Sequence, residues 1–251
     1  MELSFKNKVV VVTGAAGGFG SATARAFAAA GAHVVVSDID TAGAERLAAD
    51  LPSAIAVTTD VTDADAMREL VDASESAFGG IDVMVNNAGV PHRAGNLVDL
   101  DVETVDRQLA VNVRSVFLGC KYAVPALRRR GGGVVVNVAS IAATRPRPGL
   151  TVYNATKGAV ITMTRGLAVE VAPDVRVNAV NPVISETGFV KSLTGADDLP
   201  EDLRRNWVAG IPMGRTATAD DVAHSVLYLA SDQAGFLTGV CLDIDGGRSI
   251  Q

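Results

Sequence analysis

Short β-branched runs alternate with longer segments that repeat apolar residues at helical spacing, and the alternation runs along most of the chain. Four consecutive valines at 9–12 predict a strand buried on both faces. The Ala-rich segment 21–30 predicts a helix, which Gly31 is placed to stop. Further strands are predicted at 34–36, 55–58 and 81–85. Between them lie a helix at 41–51, ended by Pro52, and one at 63–78, followed by Gly79 and Gly80. One long helix with an irregular start is predicted at 102–130 and closed by Gly131, Gly132 and Gly133. A strand at 134–138, a helix at 153–172 ended by Pro173 and a strand at 175–179 follow. Residues 181–214 sustain no period; a helix at 220–231 and a last strand at 240–244 complete the pattern.

Strands alternating with helices make βαβ units, whose right-handed crossovers build a doubly wound parallel sheet. The fold class expected is α/β, with about seven strands and helices on both faces. No Pro- or Ser-rich linker and no repeat divides residues 1–251, so one domain is expected. The aperiodic stretch is long for a compact domain and suits a substrate lid at about 183–214.

Composition narrows the function without locating it. With 251 residues, 48% hydrophobic and 20% charged, the chain buries roughly three quarters of its surface on folding and excludes a mostly disordered protein. A net charge of −6 argues against nucleic acid as the main partner. Cys120 and Cys241 form no C-x-x-C pair and read as small buried hydrophobes rather than a disulfide or zinc site. His33, His92 and His224 show no metal-ligand spacing, so no metal is expected. Lys6 and Lys8 precede an uncharged stretch at 9–24 that imitates a signal peptide. Glycines at 14, 17, 18 and 20 interrupt it, and no apolar run reaches membrane-spanning length. A cytoplasmic protein with no membrane partner is expected.

The chemistry begins at the turn between the first strand and first helix. Gly14, Gly17, Gly18 and Gly20 let the backbone turn tightly and approach a pyrophosphate resting on the helix N-terminus. Asp38 ends the second strand, where a carboxylate accepts hydrogen bonds from an adenosine ribose and repels a 2′-phosphate. Ala15 and Ala16 offer no cation for such a phosphate, so NAD is favoured over NADP. An ordinary turn residue is the alternative reading of Asp38.

Tyr153 and Lys157 are spaced i, i+4 and share one face of their helix. A free tyrosine has a pKa near 10, and a cation within ~4–6 Å lowers it by roughly 1–3 units. Lys157 and the positive charge of an oxidised nicotinamide would both favour phenolate, making Tyr153 a general base for an alcohol proton. Ser140, at a strand end, offers a hydroxyl to the reacting oxygen.

The loop T-G-x-x-x-G-x-G at Thr13–Gly20, the run Asn86-Asn87-Ala88-Gly89 and the run Tyr153-Asn154-Ala155-Thr156-Lys157 resemble the short-chain dehydrogenase/reductase family. Asp60-Val61, Asn112, Ser140, Asn181-Pro182 and Asp245-Gly246-Gly247 match further positions in order. The resemblance implies a Rossmann-type fold and direct hydride transfer between a secondary alcohol or ketone and the nicotinamide. It places Gly14, Phe19 and Gly20 at the pyrophosphate, Asp60 and Val61 at the adenine and Asn87 near the adenosine side of the nicotinamide, with Gly18, Ala88 and Gly89 as further cofactor candidates; a structural turn is the alternative reading of Asn86–Gly89. It gives Lys157 the nicotinamide ribose, and Asn112 a water in a proton relay. It also implies a homo-oligomer, a tetramer. Within the class, 3-oxoacyl thioester reduction is the alternative activity; outside it, a non-catalytic NAD-sensing protein.

One segment departs from the family. Pro182-Val183-Ile184-Ser185-Glu186-Thr187 keeps the Pro-to-Thr spacing, but Val183 replaces Gly and Ser185 replaces a β-branched apolar residue. Pro182, Val183, Ser185 and Thr187 remain cofactor candidates, with Val183 expected to narrow the pocket. For a small-molecule substrate the candidates are Ser140, Ala142, Arg147, Leu150, Tyr153 and His92. Arg93, Arg145 and Arg147 either face solvent, which their type favours, or meet an anionic substrate group. The run Arg128-Arg129-Arg130 either complements its helix dipole or meets an acidic carrier protein.

Overall fold

The computed structural model describes residues 3–185 and 201–251. Seven parallel strands lie in the order β3-β2-β1-β4-β5-β6-β7. They are β1 (Val9–Thr13), β2 (His33–Asp38), β3 (Ala54–Thr58), β4 (Val83–Asn86), β5 (Gly133–Val138), β6 (Val175–Pro182) and β7 (Cys241–Ile244). The helices are α1 (Gly18–Ala29), α2 (Thr41–Ala49), α3 (Ala64–Phe78), α4 (Val102–Leu109), α5 (Ser115–Arg129), α6 (Thr151–Val171), α7 (Glu201–Ala209) and α8 (Ala219–Ala230).

The period-2 geometry of a strand explains why β1 is valine throughout. Val9 and Val11 join a core with Met67 and Leu70 of α3, Leu127 of α5 and Val160 of α6. Val10 and Val12 point to the opposite face and join Phe27 of α1, Leu47 of α2 and Val226 of α8. Both faces of the sheet are covered, as a parallel sheet requires.

β1 pairs β2 on one side and β4 on the other. The chain therefore leaves the C-terminal ends of β1 and β4 in opposite directions. That divergence opens a crevice where ligands bind in such sheets.

Several elements differ from the sequence reading. The long helix is not continuous: α4 and α5 are joined by a π-helical turn at Ala110–Arg114. A wider turn of this kind displaces the side chains that follow and often marks a functional position. α7 lies in the stretch that showed no period, and β6 runs to Pro182. Part of the expected lid, residues 186–200, lies outside the described residues, as does Thr187.

The arginine run finds acids of its own chain. Arg128 pairs with Asp174, Arg129 with Glu75 and Arg130 with Asp82. Cys120 and Cys241 are free thiols, and burial pushes the Cys120 thiol up to about 12.

Candidate active site

Two adjoining clefts occupy the crevice. The first, of about 1310 Å³, is lined by Gly14, Gly18, Phe19, Asp38, Asp60, Val61, Asn87 and Gly89, among others. Close approach explains its glycines. A Cβ on Gly14 would lie 2.8 Å from the Ala88 Cα, and one on Gly20 would lie 2.2 Å from the Gly14 carbonyl oxygen. Gly14 also has φ +63°, a left-handed conformation that side chains disfavour.

α1 begins after Gly17, and no side chain caps it, so its first N–H groups are left to a ligand anion. α2, α3 and α8 instead carry side-chain caps from Asp40, Asp63 and Thr218. A dinucleotide's pyrophosphate fits this glycine-lined turn.

Asp38 sits at the end of β2, where its Oδ2 accepts the Ala16 N–H at 2.8 Å and its Oδ1 the Asp40 N–H at 2.9 Å. A carboxylate has about four lone-pair sites, so two backbone bonds leave capacity for ribose hydroxyls. Asp60 Oδ1 accepts both the N–H and the hydroxyl of Thr62, each at 2.8 Å, which orients its carboxylate at the rim. Asn87 is a strap: its Nδ2 donates to the carbonyls of Thr13 at 2.8 Å and Gly14 at 2.9 Å. The Thr13 hydroxyl answers by accepting the N–H groups of Asn87 and Ala88.

The second cleft, about 740 Å³, shares Phe19, Asn87 and Gly89 with the first. Ser140, Ala142, Arg147, Leu150, Tyr153, Lys157, Pro182, Val183 and Ser185 line it. Ser140 follows β5, and its Oγ accepts the Ala142 N–H at 3.1 Å. Lys157 Nζ donates to the Val138 carbonyl at 2.8 Å, leaving two of its three protons for other acceptors.

Burial pushes the Tyr153 hydroxyl up to about 12, opposed by a hydrogen bond with Ser140 and the charge of Arg147. Burial likewise brings the Lys157 amine down to about 8. The expected lowering of Tyr153 by Lys157 is therefore not the state of the protein alone. Desolvation outweighs it, and the nearby cation opposing that rise is Arg147.

Asn112 lies in the π turn, fully buried. Its Oδ1 accepts the Val90 N–H at 2.8 Å and its Nδ2 donates to the Val90 carbonyl at 2.9 Å. Gln108 and Thr156 supply further acceptors. Asn112 thus clamps the loop after β4, next to Gly89, where an added Cβ would stand 3.1 Å from Lys157 Nζ and 3.3 Å from Asn112 Oδ1.

The structure does not bring His92 to the cleft. His92 is buried with its Nδ1 2.8 Å from the Arg93 carbonyl, and neither cleft is lined by it. Val183 both lines the cleft and packs on Ile141, Ile211 and Ala217. Ile184 and Thr156 were missed. The Gln108–Asn112 contact, also missed, carries an i, i+4 signal that could have found it.

A glycine-built dinucleotide cleft opening onto a buried Ser-Tyr-Lys cluster defines an oxidoreductase that uses a nicotinamide cofactor. The comparisons agree. A family model described as enoyl-(acyl carrier protein) reductase matches residues 14–249. The 4-formylbenzenesulfonate dehydrogenase of Comamonas testosteroni is 44% identical over 253 residues, covering 99% of this chain and 100% of that protein. The cis-4-hydroxycyclohexanecarboxylate dehydrogenase of Sinomonas cyclohexanicum is 39% identical, covering 98% of each. A crystal structure of a 3-ketoacyl-(acyl-carrier-protein) reductase from Brucella melitensis complexed with NADH superposes with a TM-score of 0.92. It is 42% identical and covers 98% of this chain and 100% of that one. The chain belongs to the short-chain dehydrogenase/reductase family and interconverts alcohols and ketones.

Proposed function

We propose that this chain is an NAD-dependent dehydrogenase of a small secondary alcohol, with Tyr153 as the group that moves the proton. The observation that carries this reading is the continuity of the Asp38 cleft with the Ser140–Tyr153–Lys157 cleft through Phe19, Asn87 and Gly89. Asp38 and Asp60 would hold the adenosine half of the cofactor, the α1 N-terminus its pyrophosphate, and Lys157 the nicotinamide ribose, with Pro182, Val183 and Ser185 alongside. Thr187 is proposed with them, although it lies outside the described residues. When bound, the nicotinamide supplies a hydride acceptor, and a positive charge in its oxidised form.

Ser140 positions the alcohol oxygen. Tyr153, as phenolate, takes the hydroxyl proton while the carbinol C–H bond is broken and the ketone forms; in reverse, the phenol returns that proton to the new alkoxide. A phenol that rests near 12 is almost wholly protonated at neutral pH, so Tyr153 depends on positive charge beside it to ionise. Burial among Leu150, Ala142 and Trp207 keeps the local dielectric low and strengthens that effect.

NAD is preferred over NADP because Asp38 places a negative charge where a 2′-phosphate would stand. Two like charges 4 Å apart cost about 4 kcal/mol at an effective dielectric of 20. Names of relatives include a cyclohexanecarboxylate and a benzenesulfonate, so the substrate panel needs rings with and without an acid. The test is cofactor reduction with NAD and NADP across cyclic alcohols, polyols, sugars, ring hydroxy acids and 3-hydroxyacyl thioesters. NAD-linked turnover of a small alcohol is expected. Turnover with NADP alone would overturn the Asp38 reading.

Reduction of a 3-oxoacyl thioester is the second reading, supported by the name of the Brucella relative. The internal pairing of Arg128, Arg129 and Arg130 counts against an acidic carrier docking there.

A further inference from the structure

Among the charged groups of the second cleft, Arg147 does not itself carry the proton, and among the described residues no acid pairs with it. It sits in the loop between Ser140 and α6, and that loop is fixed. The Arg147 carbonyl accepts from Asn154 Nδ2 at 2.9 Å and from the Leu150 N–H at 3.2 Å. Gly149 is tied in turn to Gly95 through a 3.0 Å backbone bond. Its guanidinium lines the cleft with Ser140, Ile141, Leu150 and Tyr153. Arg147 Nη2 is buried and has no hydrogen-bond partner among the described residues.

The surroundings are positive. Arg145 donates to the Arg248 carbonyl, and Arg248 Nη1 donates to the Gly210 carbonyl at 3.0 Å. Among the described residues none of these three arginines pairs with a carboxylate, whereas Arg25, Arg68, Arg128, Arg129 and Arg215 all do. Burial and the charge of Arg248 bring Arg147 down to about 10, so it remains a cation at neutral pH. A buried guanidinium nitrogen with no partner among the described residues is costly unless something completes it. Its planar fork matches an anion that offers two oxygens.

We propose that Arg147 is the binding site for an anionic group, a carboxylate or sulfonate, on the same substrate molecule whose hydroxyl meets Ser140 and Tyr153. The proposal rests on the dehydrogenase reading given above. Ile141, Ala142, Leu150 and Ile184 supply apolar walls between the two polar ends, which suits a compact hydrocarbon ring bearing the acid.

Binding tests this without requiring turnover. The full chain, saturated with NADH, is titrated by calorimetry with cyclohexanecarboxylate, cyclohexanesulfonate and cyclohexanecarboxamide. At least one anion is expected to bind tenfold or more tighter than the amide. The comparison of the two anions shows which head group the fork prefers. Arg147→Met is expected to abolish the preference, and Arg147→Lys to restore part of it. No preference for either anion in the unaltered protein overturns the proposal, a result that depends on no variant folding. A preference that survives in folded Arg147→Met overturns it as well and leaves Arg147 as an electrostatic neighbour of Tyr153. Turnover of neutral alcohols with no anion preference would remove this proposal and leave the dehydrogenase. Anion binding without oxidation of any alcohol in the panel would do the reverse.

Discussion

Burial shifts both Lys157 and Tyr153 towards their neutral forms, away from the ammonium and phenolate that alcohol oxidation uses. The Lys157 amine, near 8 rather than its usual 10.5, binds fewer protons when folded than unfolded across that interval. Stability attributable to Lys157 therefore rises with pH between about 8 and 10.5, by up to about 3 kcal/mol. Tyr153, near 12 rather than 10, acts with the opposite sign: stability present below pH 10 is lost as pH climbs towards 12. Chemical denaturation of the cofactor-free protein at pH 7.5 and pH 10 checks this. The unaltered protein is expected to gain on Lys157→Met over that range, and parallel curves would show that Lys157 is not desolvated as described. Also at this scale, Asp38→Asn removes the repulsion of a 2′-phosphate. It is expected to raise kcat/KM with NADP relative to NAD at least tenfold, measured on any alcohol the enzyme oxidises.

At the level of elements, the glycine turn and the π turn do different jobs. Gly20 lets α1 approach the Gly14 carbonyl, and the 2.2 Å contact that a Cβ would make there falls on backbone that cannot rotate away. Gly20→Ala is expected to cost about 1–3 kcal/mol of stability and to weaken NADH binding at least tenfold. Thermal melting and fluorescence titration of the purified variant read both. The π turn at Ala110–Arg114 turns Asn112 towards Val90, Gln108 and Thr156.

These two elements also show what the amino-acid order discloses. Glycines and an aspartate at a strand end are local signals, and the cofactor cleft was legible from them. The π turn has no local signal: Ala110 to Arg114 is ordinary helical sequence, and the extra residue per turn follows from packing against α6 and the loop after β4. The short α7 was hidden for a similar reason, since Glu201–Ala209 carries too few apolar residues to show a stripe. Arg147 was legible as a charge, but not the burial of one of its guanidinium nitrogens. That burial goes with the loop held by Leu150, Asn154 and Gly149. His92 follows β4 as expected but lines neither cleft.

For the whole molecule, the alternation of strand and helix carried the fold because every β1 valine must be buried whichever face it meets. Oligomer contacts are less direct. Leu118 and Ile161 are buried by the chain's own core, whereas Phe117 and Val169 are 52% and 82% exposed. Phe117 lines an apolar groove with Met163 and Leu167 between α5 and α6. If this face covers a second copy, Phe117→Asp lowers the particle mass in sedimentation while the fold persists. An unchanged mass would place the contact elsewhere. Among the described residues no helix is long and apolar enough to cross a membrane.

The proton-moving role proposed for Tyr153 belongs to a site whose cofactor cleft is built independently of it. It is tested by measuring NADH binding and alcohol oxidation on one preparation of Tyr153→Phe. Removing the hydroxyl leaves the ring packed on Leu150 and Ala142 and removes only the acid–base group, a loss worth about 10²–10⁴ in rate. NADH affinity within threefold of the unaltered protein, with turnover down at least a hundredfold, is the predicted result. Turnover within tenfold of the unaltered enzyme would contradict it and assign the proton to another group.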